Sequence, residues 1–222
     1  MATVNNNVWE LGEKYKAAEY AKSVLPFQSK LLEARLLTKV CQQMSSSYDE
    51  VIDEQNEYLF EIENINEEIE SLREDLELEI KNKEKEIEKL LAKPDQEALT
   101  DEEKAEVEAL YGDIDGLTAE INGTIETKNA EIKTNSDKAS NVRTKEVIAQ
   151  DYGETTLEKG TELAGTEVKG GFFRKLFGRT KSLRKKKEAG EVAVKVADEL
   201  LSKLDDSRAI DKEITKKSKV SK

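Results

Sequence analysis

An all-α fold is what this chain predicts: an elongated antiparallel coiled-coil hairpin on a small helical base, with a flexible basic C-terminal segment. Three observations lead there. Charged residues make up 38% of the 222 positions, against about 25% in ordinary soluble domains. Only two prolines occur, so long stretches carry no helix breaker. Apolar residues recur at heptad spacing in two blocks that flank one of those prolines, with charged residues on the other faces.

The base is expected over 1–47. Asn7 can cap a short helix over 8–24, whose Val8, Leu11, Tyr15 and Ala18 share a face. Pro26 ends that segment. Leu31, Leu32, Leu36, Leu37, Val40, Cys41 and Met44 follow. This is the richest apolar stretch of the chain, and helix 8–24 is expected to fold back on it.

The hairpin is expected over 48–150. Ile62, Ile65, Ile69, Leu72 and Leu76 step by 3, 4, 3 and 4, a heptad seam. Ile69, Ile80 and Leu91 are then eleven apart, a spacing that locally unwinds a left-handed supercoil. Lys83 interrupts the seam. Residues 93–100 form the tip, with Pro94 disfavouring helix at Lys93. Thr100 and Glu103 read as a capping box that starts a helix at 101. Its seam runs through Val107, Leu110, Ile114, Leu117, Ile121, Ile125, Ile132, Ala139 and Val142, with the same switch to elevens. Folding about the tip pairs residue i with roughly 193 − i, which brings the two switches within about a turn of each other. Gly112, Gly116 and Gly123 cost the second arm roughly 1 kcal/mol each against alanine, so it is expected to be locally soft. The competing arrangement is one continuous rod that dimerises in parallel.

Residues 151–171 read as a Gly/Thr-rich linker, with a short echo of GTELA in GTEVK. A basic aromatic segment and a C-terminal helix over 188–206 occupy 172–222, and 207–222 reads as a frayed end.

Charge is divided unevenly. Residues 169–222 hold seventeen Lys/Arg against eight Asp/Glu, a local +9 in a chain of net −12. The remainder carries −21, so nucleic acid is not an expected partner of the long acidic part. The candidate binding element is Phe172, Phe173, Arg174, Lys175, Leu176, Phe177, Arg179, Lys181, Arg184, Lys185, Lys186 and Lys187. Its phenylalanines and leucine make one apolar patch beside eight cations. That chemistry suits an anionic lipid surface, a groove on a protein partner, or a clasp on the chain's own acidic stalk.

No residue pattern points to catalysis. The chain has no histidine and one cysteine, Cys41, so the usual histidine base for a nucleophilic thiol is missing. Cys41 is expected as a buried apolar residue. Asp113-Ile114-Asp115-Gly116 departs from a calcium loop at Leu117 and in the place of the glycine. Asn122-Gly123-Thr124 fits a glycosylation sequon by chance. Trp9, Tyr15 and Tyr20 are expected as packing anchors. No cofactor, metal or small-molecule substrate is expected, and the protein is expected not to be an enzyme. The expected role is structural or adaptor-like, a spacer or scaffold whose partner is another protein or a second copy met through the seams. The alternative is a peripheral membrane protein tethered by 172–187. The expected location is cytoplasmic, since the N-terminus has no secretory pattern and no window reaches the roughly 18 apolar residues of a membrane span.

Overall fold

The structure, a computed structural model, describes residues 13, 14, 16, 30–92, 99–142, 145–167 and 179–219, with the side chains of 179–182 outside the description. Apart from residues 13, 14 and 16, which are helical, the expected helix 8–24 falls outside it, as do Trp9, Tyr15 and Tyr20. The fold is all-α. Among the described residues four long helices follow one another: α1 Lys30–Leu91, α2 Asp101–Val142, α3 Glu146–Ala164 and α4 Arg179–Lys217. The chain divides into two compact units, one of residues 1–58 with 138–214 and one of residues 59–137 with 215–222.

The first unit is a helix bundle. Residues 30–58 of α1 supply Leu37, Val40, Cys41, Met44, Tyr48 and Val51, each at most 2% exposed. Their spacing keeps them on one face. Val142, Ala149, Tyr152, Val196, Leu200 and Leu204 complete the core. α1 and α4 run parallel. Ser45 donates to Glu199, Lys203 to Asp49 and Ser207 to Gln55, at sequence separations of 154, 154 and 152. α3 runs against α1, because the separation falls from 132 at Lys30–Glu162 to 111 where the Cys41 thiol meets Tyr152 O.

Three expectations change here. Residues 151–164 are helix, not linker: Tyr152, Gly153, Thr156, Gly160 and Leu163 are buried. Gly160 is there for contact rather than freedom. A Cβ on it would lie 2.9 Å from Val194 N and 3.1 Å from Gly190 O, and a Cβ on Gly190 would fall on Ala164 N. The backbones of α3 and α4 therefore touch at this crossing, which a larger residue forbids. The second arm does not run unbroken to 150. Helix α2 ends at Val142, and Lys145, left-handed at φ 73, precedes α3. Its carbonyl accepts the N–H groups of Ile148 and Ala149 at 3.0 and 3.1 Å. Finally, α4 spans 179–217 rather than 188–206, and Ser207 and Ile214, each 1% exposed, bury what was read as a frayed end.

The second unit pairs the rest of α1 with α2. Lys83 binds Asp113 at 2.9 Å, 30 residues away, and Lys128 binds Glu68, 60 residues away, so the helices run antiparallel. Ile62, Ile69, Ile87, Ile125 and Ile132 are buried between them. Leu72, Leu76, Leu117 and Ile121 are half-buried. Lys83, which breaks the apolar seam, sits half-buried with Asp113 as its counter-charge. The capping box forms: Thr100 N–H donates to Glu103 Oε2 at 2.9 Å, and Glu103 N–H to Thr100 Oγ1 at 3.3 Å. Near the end of the chain Asn66 donates to Lys217 O at 3.0 Å, and Lys217 pairs with Glu63 at 3.2 Å. The boundary of the units thus falls at Tyr58 and Asp137, so residues 48–58 belong with the base.

Candidate functional site

The basic aromatic segment is placed only in part. Phe172, Phe173, Arg174, Lys175, Leu176 and Phe177 lie outside the described residues. Arg179 and Lys181 fall in the first turn of α4, with side chains outside the description. Arg184, Lys185 and Lys187 are exposed on α4, and Lys186 is half-buried. The C-terminal half of the expected element is therefore the beginning of α4, not a separate helix.

Those cations meet others that lie far off in sequence. Because α1 and α4 run parallel, Arg35, Thr38, Lys39 and Gln42 on α1 face Lys185, Glu188, Ala189 and Val192 on α4. Each set is spaced i, i+3, i+4, i+7, the contact face of a helix. Between them lies an open groove of about 570 Å³. Arg35 and Lys39 stand on one rim and Lys185 on the other. All three are exposed, and none has an ion-pair partner among the described residues. Val192, one of the lining residues, is 50% exposed.

A second open surface belongs to α2. Ala105, Ala109, Gly112, Gly116, Ala119 and Gly123 are all exposed. At about 100° per residue they lie within about 40° of one line, opposite the Ile/Leu seam. A methyl group added at Gly112, Gly116 or Gly123 would meet nothing within 4 Å. Among the described residues no close neighbour explains these glycines. Carboxylates flank the line on both sides, Glu102, Glu106 and Glu120 on one and Glu108, Asp115 and Glu126 on the other. The sequence carried this signal in its 4-3-4-3-4 run of Ala and Gly. It goes unnoticed when the same glycines are read as a helix cost alone. No sequence pattern announces the groove, since Arg35 and Lys185 meet only through the parallel packing of α1 and α4.

Other candidate chemistry is absorbed into the fold. Cys41 is fully buried, its sulfur 2.9 Å from Thr156 Oγ1. Burial pushes its thiol up to about 11 against the opposing Thr156 contact, so it stays protonated at neutral pH. Residues 113–116 are continuous α-helix, with Asp113 paired to Lys83, which leaves no calcium loop. Asn122 lies in the same helix. Among the described residues no three His, Cys, Asp or Glu come together as metal ligands, and no helix is long and apolar enough to cross a membrane. On α4, Glu199 is held below the usual carboxylate range by the Ser45 hydroxyl and then by Lys203.

No family model, curated protein or solved structure matches this chain.

Proposed function

We propose that this chain is a non-enzymatic structural or adaptor protein, a spacer or scaffold that works through helix-to-helix contacts. The observation that carries the reading is the second face of α2. Its apolar seam is used within the chain, while the opposite Ala/Gly line is open and runs for five turns from Ala105 to Gly123. Glycine inside a helix costs about 1 kcal/mol against alanine. Three such costs on a face that meets none of the described residues at its glycines make sense where another backbone approaches closely.

The test is a photo-crosslinking side chain at position 116 of the full chain, Gly116→benzoylphenylalanine, in the cells that make the protein. A protein adduct that disappears when Gly112→Arg is added supports the reading. Absence of any adduct sinks it.

A second reading, a peripheral membrane protein, is favoured by Arg184, Lys185 and Lys187, which stay exposed at the end of the run that begins at Phe172. Flotation on anionic vesicles that is lost with Phe172→Ala/Phe173→Ala, and at high salt, would put this reading first. No flotation at low salt would remove it.

A further inference from the structure

We infer that the occupant of the α1/α4 groove is the open acidic face of α2 from a second copy of this chain, so that copies join head to tail. The inference rests on the scaffold reading and adds the partner and the two surfaces.

Form and charge both fit. Two parallel helices that each present an i, i+3, i+4, i+7 face leave a trough that a third helix fills. The incoming helix must be slim, because long side chains line the groove from both helices, Arg35, Lys39 and Gln42 on α1 and Lys185 and Glu188 on α4. The Ala105–Gly123 line is slim along its length, and small residues let helix axes come unusually close. The groove is net cationic: Arg35 and Lys39 line it from α1 and Lys185 from α4, against one carboxylate, Glu188 on α4. The α2 line is anionic on both sides, Glu106 and Glu120 against Glu108 and Asp115. The carboxylates that flank the line are therefore drawn to Arg35, Lys39 and Lys185, most strongly on the α1 side, where no carboxylate lines the groove. The long-range field has the same sign: residues 59–137 hold twenty-five Asp/Glu against nine Lys/Arg, a net −16, which leaves +4 for the other residues of the chain. Attraction of this kind steers encounter and fixes which faces meet.

The two surfaces are different patches, so the contact is heterologous. A heterologous contact that does not close into a ring propagates. Whether the contact closes or propagates, the expected product is association that increases with concentration.

The experiment is sedimentation velocity on the full chain from micromolar to submillimolar concentration. Wild type is expected to grow in mass with concentration at about 0.05 M salt and to lose at least tenfold in apparent association constant by about 0.5 M, where charges are screened within a few ångströms. The groove variant Arg35→Glu/Lys39→Glu/Lys185→Glu is expected to remain monomeric. So is the arm variant Glu106→Lys/Glu108→Lys/Asp115→Lys/Glu120→Lys. All seven positions are exposed, so circular dichroism should report unchanged helix content for both. Mixed one to one, the two variants restore opposite charge at every contact, and association should return. Three results would each overturn the proposal: a wild type that stays monomeric at low salt, a groove variant that associates as well as wild type, or a mixture that fails to rescue. A monomer that still gives an adduct from position 116 to some other protein would reject the second copy and leave the scaffold reading standing.

Discussion

The Ser207 hydroxyl donates a 2.7 Å hydrogen bond to Gln55 Oε1 between α4 and α1, with both residues buried to 1% exposure or less. Gln55 Nε2 is also buried, and it has no partner among the described residues. The pair locks the register of two parallel helices at a stability cost. Ser207→Ala should strand the Gln55 amide and destabilise the first unit by about 1–3 kcal/mol. Gln55→Leu/Ser207→Ala should recover most of that loss, because a buried polar pair replaced by apolar groups of similar size is often near neutral. Urea unfolding of the two variants and wild type measures both effects.

The Gly160–Gly190 crossing gives a second prediction. Gly190→Ala should cost about 3 kcal/mol or more despite alanine's better helix propensity, since its methyl would enter the α3 backbone at Ala164. Gly112→Ala/Gly116→Ala/Gly123→Ala should do the opposite and stabilise the second unit by up to about 2–3 kcal/mol, because all three methyls enter open space. Hydrogen exchange of amides in each unit separates the two responses.

Lys145 supplies a third. A lysine at φ 73 carries the penalty of the left-handed region, which glycine avoids. Lys145→Gly should raise stability by about 0.5–1 kcal/mol, offset in part by greater freedom in the unfolded chain. Thermal unfolding reads the balance.

Glu199 links stability to pH. Its carboxyl is lowered by the Ser45 hydroxyl first and by Lys203 next. A depressed carboxylate contributes stability that is present above its unfolded pKa and lost as pH falls through its folded pKa. Ser45→Ala should therefore be destabilising at neutral pH, and its gap to wild type should close as pH drops below the ordinary carboxylate range. A carbon-detected NMR titration should show the Glu199 midpoint moving up in the variant.

Cys41 should resist alkylation. With the thiol pushed to about 11 and no exposed surface, iodoacetamide at mildly alkaline pH should modify it only at the rate of opening of the bundle. Fast labelling of folded protein would refute the buried position.

Much of this architecture was legible in the residues. The Ile62–Leu76 seam, the Thr100/Glu103 box and the Leu37–Met44 core face each follow from spacing alone. The failures share a cause: local chemistry was outvoted by partners far along the chain. Gly153 and Gly160 look like linker residues until α4 lies against them. Ile210 and Ile214 sit among Asp, Lys and Glu, so their face is faint in the residues alone, though Ile214 is buried. Nothing at Lys145 announces a turn, for it is neither glycine, asparagine nor proline. The groove is out of reach of any local reading, since its two walls lie 150 residues apart in sequence.

The parallel course of α1 and α4 has a consequence for biogenesis. The first unit is held by pairs 152–158 residues apart, as in Lys203 with Ser45 and Gln55 with Ser207, whereas α2 meets α1 at separations of 30–60. High contact order slows closure, and a ribosome releases chain from the N-terminus. Residues 30–58 must then wait for the rest of their core while the 59–137 hairpin forms and until α3 and then α4 emerge. Nascent chains arrested when residue 137 has just left the ribosome should protect the hairpin amides but leave those of 30–58 open to exchange, and this interval is when the base is most exposed to chaperones and to aggregation.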